Sequence, residues 1–236
     1  MDTQKVVWIT GAGSGMGRAA ALAAAAAGWR IALSGRREDA LRETAESAGG
    51  GLVLPGDVTD AGFVAAAAAA ATAELGRLDA LVLAAGLNTK QRFWPELDLA
   101  AFDAIVATNL TAVAHTVHAA LPALRASHGT VVVVSSYSAW SFSPGAGVAY
   151  SASKTALAAL CRTLNAQEAA AGVRATHLCP GDVATDFLTQ RPIVPDADAR
   201  ARMLTSEDIG RAVQFVLDSP AHVRVDELVI SPVSQA

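Results

Sequence analysis

The chain has 236 residues, 52% hydrophobic and 17% charged, enough to bury a large core and too apolar for intrinsic disorder. Its net charge of −4 argues against a nucleic-acid partner. Cys161 and Cys179 form neither a disulfide framework nor a CxxC metal pattern, which suits a reducing compartment. The N-terminus lacks the basic start and long apolar run of a signal peptide, and the alanine-rich run 61–73 is too short to span a bilayer. The expectation is a soluble, cytoplasmic protein with no membrane partner.

In chain order, residues 6–10 form a β-rich run, and 15–27 an alanine-rich helix ended by Gly28. A strand is predicted over 30–34, a helix over 38–48, a strand over 52–54 and a helix over 60–75 that stops at Gly76. Then come a strand at 80–84, a long helix over 99–124 ending near Pro122, and a strand at 130–135 built on four consecutive valines. The last elements are a helix over 150–171 stopped by Gly172, a strand at 173–179, a helix over 206–217 capped by Ser206, and a strand at 227–231. Strands separated by helices of this length require right-handed crossovers and a parallel sheet. The pattern predicts an α/β fold: a single doubly wound, Rossmann-like domain over 1–236 with a seven-stranded parallel sheet. The segment 186–204, interrupted by Pro192 and Pro195, reads as a lid.

The first loop reads Thr10-Gly11-Ala12-Gly13-Ser14-Gly15-Met16-Gly17 and joins a strand to a helix. Glycines there let the backbone turn sharply and let a pyrophosphate approach the helix N-terminus, where free N–H groups and the dipole favour anions. At the end of the second strand, Ser34-Gly35-Arg36-Arg37 has glycine where enzymes that use NAD place an acid. Two arginines at a helix N-terminus suit the 2′-phosphate of NADP(H), which makes NADP(H) the favoured cofactor and NAD(H) the alternative.

Tyr150-Ser151-Ala152-Ser153-Lys154 opens a later helix. The chain has two tyrosines and three lysines, so random placement gives roughly 0.025 such pairs. One turn apart, the two side chains share a helix face. Hydride reduction of a carbonyl needs a proton on the oxygen, and a phenol beside an ammonium can supply it. Ser136, ending the strand Val133-Val134-Ser135-Ser136, can donate to a developing alkoxide, with Ser135 and Ser138 as competitors. His115 and His118 show no matched ligand pattern, so no metal is expected.

The TGxxxGxG spacing, followed in order by YxxxK and Pro180-Gly181-Asp182-Val183-Ala184-Thr185, resembles the short-chain dehydrogenase/reductase family along essentially the whole chain. The ending resembles, more weakly, a subgroup with NADP-dependent 3-hydroxy acid and serine dehydrogenases. The resemblance implies that Asn109, Ser136, Tyr150 and Lys154 form the catalytic group, with Asn109 holding a proton-relay water. It implies cofactor contacts from Thr10, Gly11, Gly13, Ser14, Gly15, Met16, Gly17, Arg36, Arg37, Asp57, Val58, Ala85, Gly86, Tyr150, Lys154, Pro180, Gly181, Val183 and Thr185. The family's Asn-Asn-Ala-Gly is replaced by Leu83-Ala84-Ala85-Gly86, which removes two side chains that would stiffen the loop. The expected activity is NADP(H)-dependent interconversion of a carbonyl and a secondary alcohol on a small molecule, with Tyr150 as acid/base. The alternatives are a 3-oxoacyl thioester reductase and a non-catalytic NADP-binding redox sensor. Trp94, Trp140, Phe142, Phe187 and Leu188 are expected around the substrate, with Arg191 able to pair a substrate carboxylate. Helices apolar on several faces predict a homodimer or homotetramer.

Overall fold

The computed structural model describes residues 4–235. Seven strands, β1 (Val6–Thr10), β2 (Arg30–Gly35), β3 (Leu52–Pro55), β4 (Ala80–Leu83), β5 (Thr130–Val134), β6 (Arg174–Pro180) and β7 (Glu227–Ile230), make one sheet. Their order is β3-β2-β1-β4-β5-β6-β7, and every pairing is parallel. The order reverses direction between β1 and β4, and ligands of such sheets bind beyond the carboxyl ends at that switch point.

Successive residues of a strand point to opposite faces, so each central strand feeds two cores. Val6, Trp8, Leu81, Leu83, Val131 and Val133 face one, and Val7, Ile9, Ala80, Val82, Val132 and Val134 the other. Helices α1 (Gly15–Ala26), α2 (Glu38–Ser47) and α9 (Ser206–Leu217) cover the second face. The first is covered by α3 (Ala61–Leu75), α5 (Ala112–Ser127) and α7 (Val148–Gln167). The alanines of α1 and α3 serve close packing: a Cβ at Gly210 of α9 would lie 2.8 Å from the Ala19 carbonyl oxygen of α1. The indole of the fully buried Trp8 donates to the Ser34 hydroxyl at 2.8 Å, which removes the cost of burying that N–H.

Beyond single-residue shifts at several element ends, the structure departs from the sequence pattern in the long helix, at both ends of the Tyr150 helix and at the cap of α9. The region 99–124 is α4 (Leu99–Val106), a π-helical stretch (Ala107–Thr111) and α5, which runs through Pro122 to Ser127. A π-helical stretch is invisible to a 3.6-residue period. The helix bearing Tyr150 starts two residues earlier, at Val148, because Gly147 (φ 96°) makes the turn. It ends at Gln167, and a short 3-10 turn (Ala169–Ala171) leads to Gly172. The cap of α9 is Thr205, whose hydroxyl accepts from the Asp208 N–H while Asp208 accepts from the Thr205 N–H, a reciprocal pairing that displaces Ser206. By length and composition the helical run Leu99–Ser127 is apolar enough to cross a membrane; here Ala112, Val113, Val117, Ala120 and Leu124 are buried in the core. The segment 186–204 holds a 3-10 turn (Asp186–Gln190) and the short α8 (Ala197–Arg200). It is tied back where Leu204 bridges Val183.

Candidate active site

A cavity of about 910 Å³ lies over the carboxyl ends of the strands. Its first wall is the turn from β1 into α1. The backbone there folds so tightly that a Cβ at Gly17 would stand 2.3 Å from the Gly11 carbonyl oxygen. A Cβ at Gly11, itself at φ 67°, would fall 2.8 Å from the Ala85 nitrogen. Only glycine fits either position, and the space thus kept open leads to the α1 N-terminus, a ready anion site. Gly13, Ser14, Gly15 and Met16 line the same wall, and Gly15 faces Thr185 across the cavity. Thr10 lies behind the wall, buried, with its hydroxyl accepting from the Ala85 N–H at 3.4 Å.

Arg36 and Arg37 stand exposed at the end of β2, on the cavity rim with Gly35, Asp57 and Val58. Neither arginine has an ion-pair partner among the described residues, and Glu38 is taken by Arg42 at 2.5 Å. Asp57 does not cap α3; Asp60 does, accepting from the Gly62 and Phe63 N–H groups. The Asp57 carboxylate accepts from the backbone and hydroxyl of Thr59, which hold it below the usual carboxylate range, and nearby Arg36 adds to this. These residues offer the adenosine end of a dinucleotide a carboxylate and two exposed arginines.

Asn109 lies in the π-helical stretch, fully buried. Its carboxamide accepts from the Leu87 N–H at 2.8 Å and donates to the Leu87 carbonyl at 2.9 Å and the Ser153 hydroxyl at 3.2 Å. This double clamp on Leu87 supplies the fixity that Leu83-Ala84 cannot. It also sets Gly86 beside the Lys154 ammonium, since a Cβ there would lie 3.8 Å from Lys154 Nζ. Ser153, which sequence reasoning passed over, joins the set by donating to the Tyr150 carbonyl.

Tyr150, Ser136 and Lys154 share the cavity floor. Ser136 caps the short α6 (Tyr137–Trp140), and its oxygen accepts from the backbone and hydroxyl of Ser138. Ser135 faces away, its hydroxyl on the Lys154 carbonyl, so Ser136 is the serine beside the phenol. Lys154 is buried, donates to the Val134 carbonyl at 2.8 Å and stands 5.9 Å from the centre of the Tyr150 ring. Burial pulls its pKa down to about 8. Burial pushes the Tyr150 phenol up, while hydrogen bonding with Ser136 and the charges of Arg191 and Arg92 favour the phenolate. The Lys154 ammonium stands near the phenol while bonded to the Val134 carbonyl, and the Asp182 carboxylate partly offsets the two arginines.

The far wall brings together loops remote in sequence. Pro180 at the end of β6 and Gly181, Val183 and Thr185 after it line the cavity, with Phe187 (6.1 Å from the Tyr150 ring), Leu188, Gln190 and Arg191 beyond. Arg191 is paired with Asp182 and is thereby occupied. Trp94, Trp140 and Phe142 do not line the cavity; they are 74%, 52% and 81% exposed, because the short turns carrying them face outward. Asn88, Arg92, Phe93 and Ser143 take their place. The buried Asn88 and Arg92 reach Ala146, Gly145 and Gln190. Nothing in the local pattern announces these contacts. Outside the cavity, His177 Nδ1 donates to the Glu227 carboxylate at 3.0 Å with Cys179 beside it. That Cys179 thiol, like Cys161, is pushed up to about 12 by burial and stays protonated.

A doubly wound parallel sheet with a glycine cradle at its switch point, and a phenol, a hydroxyl and an ammonium on the floor beyond, defines a nicotinamide-dependent oxidoreductase. The family model described as short chain dehydrogenase matches residues 5–193. A sulfoacetaldehyde reductase of Chromohalobacter salexigens is 35% identical, the match covering 98% of this chain and 94% of the relative. The glycine betaine reductase ATRR of Emericella nidulans is 36% identical over 97% of this chain, which spans only 19% of that longer protein. An alcohol dehydrogenase from the archaeon Thermococcus sibiricus, solved with 5-hydroxy-NADP, superposes with a TM-score of 0.89, at 31% identity, over 99% of this chain and 98% of that one. The chain belongs to the short-chain dehydrogenase/reductase family and is an oxidoreductase of CH–OH groups that uses a nicotinamide cofactor.

Proposed function

We propose that the protein is an NADP(H)-dependent reductase of a free small-molecule carbonyl compound, running in reverse as an alcohol dehydrogenase, with Tyr150 as the acid/base. The observation that carries this reading is the convergence of Tyr150, Ser136 and Lys154 on one cavity floor, with Asn109 fixing the backbone behind them. A bound nicotinamide supplies or accepts the hydride. Tyr150 delivers the proton to the carbonyl oxygen, and Ser136 orients that oxygen by hydrogen bonding. Lys154 holds positive charge at the floor, where it stabilises the phenolate once the proton has left. Gly11, Gly15 and Gly17 keep the space that the pyrophosphate needs, and the unpaired Arg36 and Arg37 select NADP(H). Two relatives named as reductases support the reductive direction.

Exposed apolar side chains outside the cavity, Leu99 on α4 and Phe215 on α9, support assembly into a homodimer or homotetramer. The test of the activity is hydride transfer from deuterated NADPH to a panel of free ketones, aldehydes and 3-oxo acids, with carrier-linked 3-oxoacyl thioesters alongside, followed by mass spectrometry. Deuterium on the carbinol carbon of a free compound is expected. Absence of label from every compound, or a carrier-linked substrate preferred more than tenfold, would sink the reading. Sedimentation at micromolar concentration checks the assembly; a monomer mass refutes it.

A further inference from the structure

Arg92 is only 5% exposed and lines the cavity, yet no carboxylate lies within ion-pair distance of it among the described residues. Burying a guanidinium without a counter-ion is costly. Its position is built in. A Cβ at Gly147 would stand 2.5 Å from the Arg92 Cβ, so glycine there makes room for the stem, and the Val148 N–H donates to the Arg92 carbonyl at 3.0 Å. An arginine has five N–H donors. Nε donates to the Thr89 carbonyl at 2.7 Å, Nη1 to Gly145 at 3.3 Å and Nη2 to Gln190 at 2.5 Å. All three acceptors are neutral, and two N–H groups remain. Tying three loops together by their carbonyls asks for donors; it does not ask for an unbalanced charge.

The surroundings fix what would balance it. Arg191 stands close enough to repel Arg92, but it has its own partner in Asp182. Asp186, the other acid on this side of the cavity, pairs with neither arginine among the described residues. Asp186 is exposed to water, so among the described residues the buried Arg92 guanidinium has no carboxylate of its own. Arg92 also lies within electrostatic reach of the Tyr150 phenol, where a carbonyl oxygen would be protonated.

We propose that Arg92 binds an anionic group of the substrate, so that the substrate is a short carbonyl compound carrying a carboxylate or sulfonate a few atoms from its carbonyl carbon. This rests on the reductase reading above and names the substrate class for the same site. The remaining N–H groups, one on each terminal nitrogen, can donate to a planar carboxylate or to two sulfonate oxygens. Arg191, which the sequence suggested for this task, is held by Asp182 and sets the entrance beside it.

The experiment compares kcat/KM for a short oxo-carboxylic acid, its sulfonate analogue and the methyl ester of the acid, with NADPH, in the wild type and in Arg92→Gln and Arg92→Lys. In parallel, the melting temperature of the NADPH-bound protein is measured with short, unreactive carboxylates and sulfonates. The expected result is an acid-to-ester preference of at least tenfold. It should collapse at least tenfold in Arg92→Gln, chiefly through KM for the acid, and recover in part in Arg92→Lys. The acid-to-sulfonate ratio says which anion is the better fit. An ester used as well as the acid overturns the proposal. So does an Arg92→Gln variant that lowers acid and ester by one common factor, because a loop strut alone would do that. If Arg92→Gln does not fold, the wild-type preference and its decline with ionic strength decide. Should no carbonyl be reduced while short anions still raise the wild-type melting temperature, the reductase reading fails and the anion site stands. With neither response, both fall.

Discussion

The two ends of the cavity are built by different means. The adenosine end is a matter of backbone: one contiguous loop, Thr10–Gly17 in the sequence, turns so tightly that side chains are excluded, and β2 and β3 deliver Arg36, Arg37 and Asp57 at their ends. The far end is a matter of side chains. Arg92 and Asn88 bind backbone atoms 53, 58 and 98 residues away, and those bonds give the wall its shape. The first kind of construction is fixed by local geometry and tolerates only glycine. The second can be rebuilt by changing one or two residues, which is how a common cofactor frame comes to serve many substrates.

Tyr150 marks the boundary between the ends, and removing its hydroxyl separates them most sharply. Tyr150→Phe takes away the proton donor and leaves both walls standing. Turnover should fall by about a thousandfold, within the range of general acid catalysis. The dissociation constant for NADPH should stay within about twofold of wild type. Single-turnover kinetics and fluorescence titration measure the two quantities; a variant that keeps most of its turnover would move the proton donor elsewhere.

Lys154 tests how the floor between the two ends is held. Its folded pKa, about 8, lies below the ordinary 10.5, so the unfolded chain binds more protons than the folded one between those values. Stability from this group therefore rises with pH through that window. Below pH 8 the buried ammonium is a full burden, about 3 kcal/mol from the size of the shift. Lys154→Met removes it, less about 1 kcal/mol for the bond lost to the Val134 carbonyl. The variant should resist urea better than wild type at neutral pH, and its advantage should disappear as pH approaches 10.5. A variant less stable than wild type at neutral pH would show that the ammonium is not strained there. Asn109→Ala should cost about 2 kcal/mol, since it leaves the Leu87 N–H and carbonyl without their partners. Hydrogen exchange at the Leu87 amide should then quicken; unchanged exchange would mean that the clamp is not what fixes this loop.

What could be read from the sequence follows the same division. The alternation of strands and helices, the valine run of β5 and the glycine loop are local patterns, and each occupies the place they indicate. Periodicity carries no trace of the π-helical stretch around Asn109, because its signal is an extra residue per turn inside an otherwise ordinary helix. It also cannot show that Pro122 sits at a point where α5 continues, or that Thr205 rather than Ser206 caps α9. The far wall was the least legible. Aromatic residues near the site in sequence, Trp94 and Phe142, turn outward, and the polar residues that replace them are positioned by partners in other loops. Gly147 makes room for Arg92, and that meaning exists only once Arg92 is packed against it.

The smallest expected effect falls at the adenosine end and asks whether its selectivity rests on charge. Arg36 and Arg37 are exposed, so each contact with a 2′-phosphate is screened by water and salt. Replacing both with alanine should weaken NADPH binding about tenfold, or roughly 1.4 kcal/mol, while NADH binding changes by less than twofold. The loss should shrink as salt is raised, because it is electrostatic. The complementary change is Gly35→Asp. A Cβ at Gly35 would lie 3.5 Å from the nearest Leu41 methyl carbon, an ordinary contact, so the backbone can accept a side chain there. An aspartate at the end of β2 would repel a 2′-phosphate and accept from a ribose hydroxyl. Titration with both nucleotides should therefore show Gly35→Asp turning a preference for NADPH into one for NADH. If wild type binds the two equally, or if Gly35→Asp weakens both alike, the arginines are solvated surface charges and the selectivity lies elsewhere in the cradle.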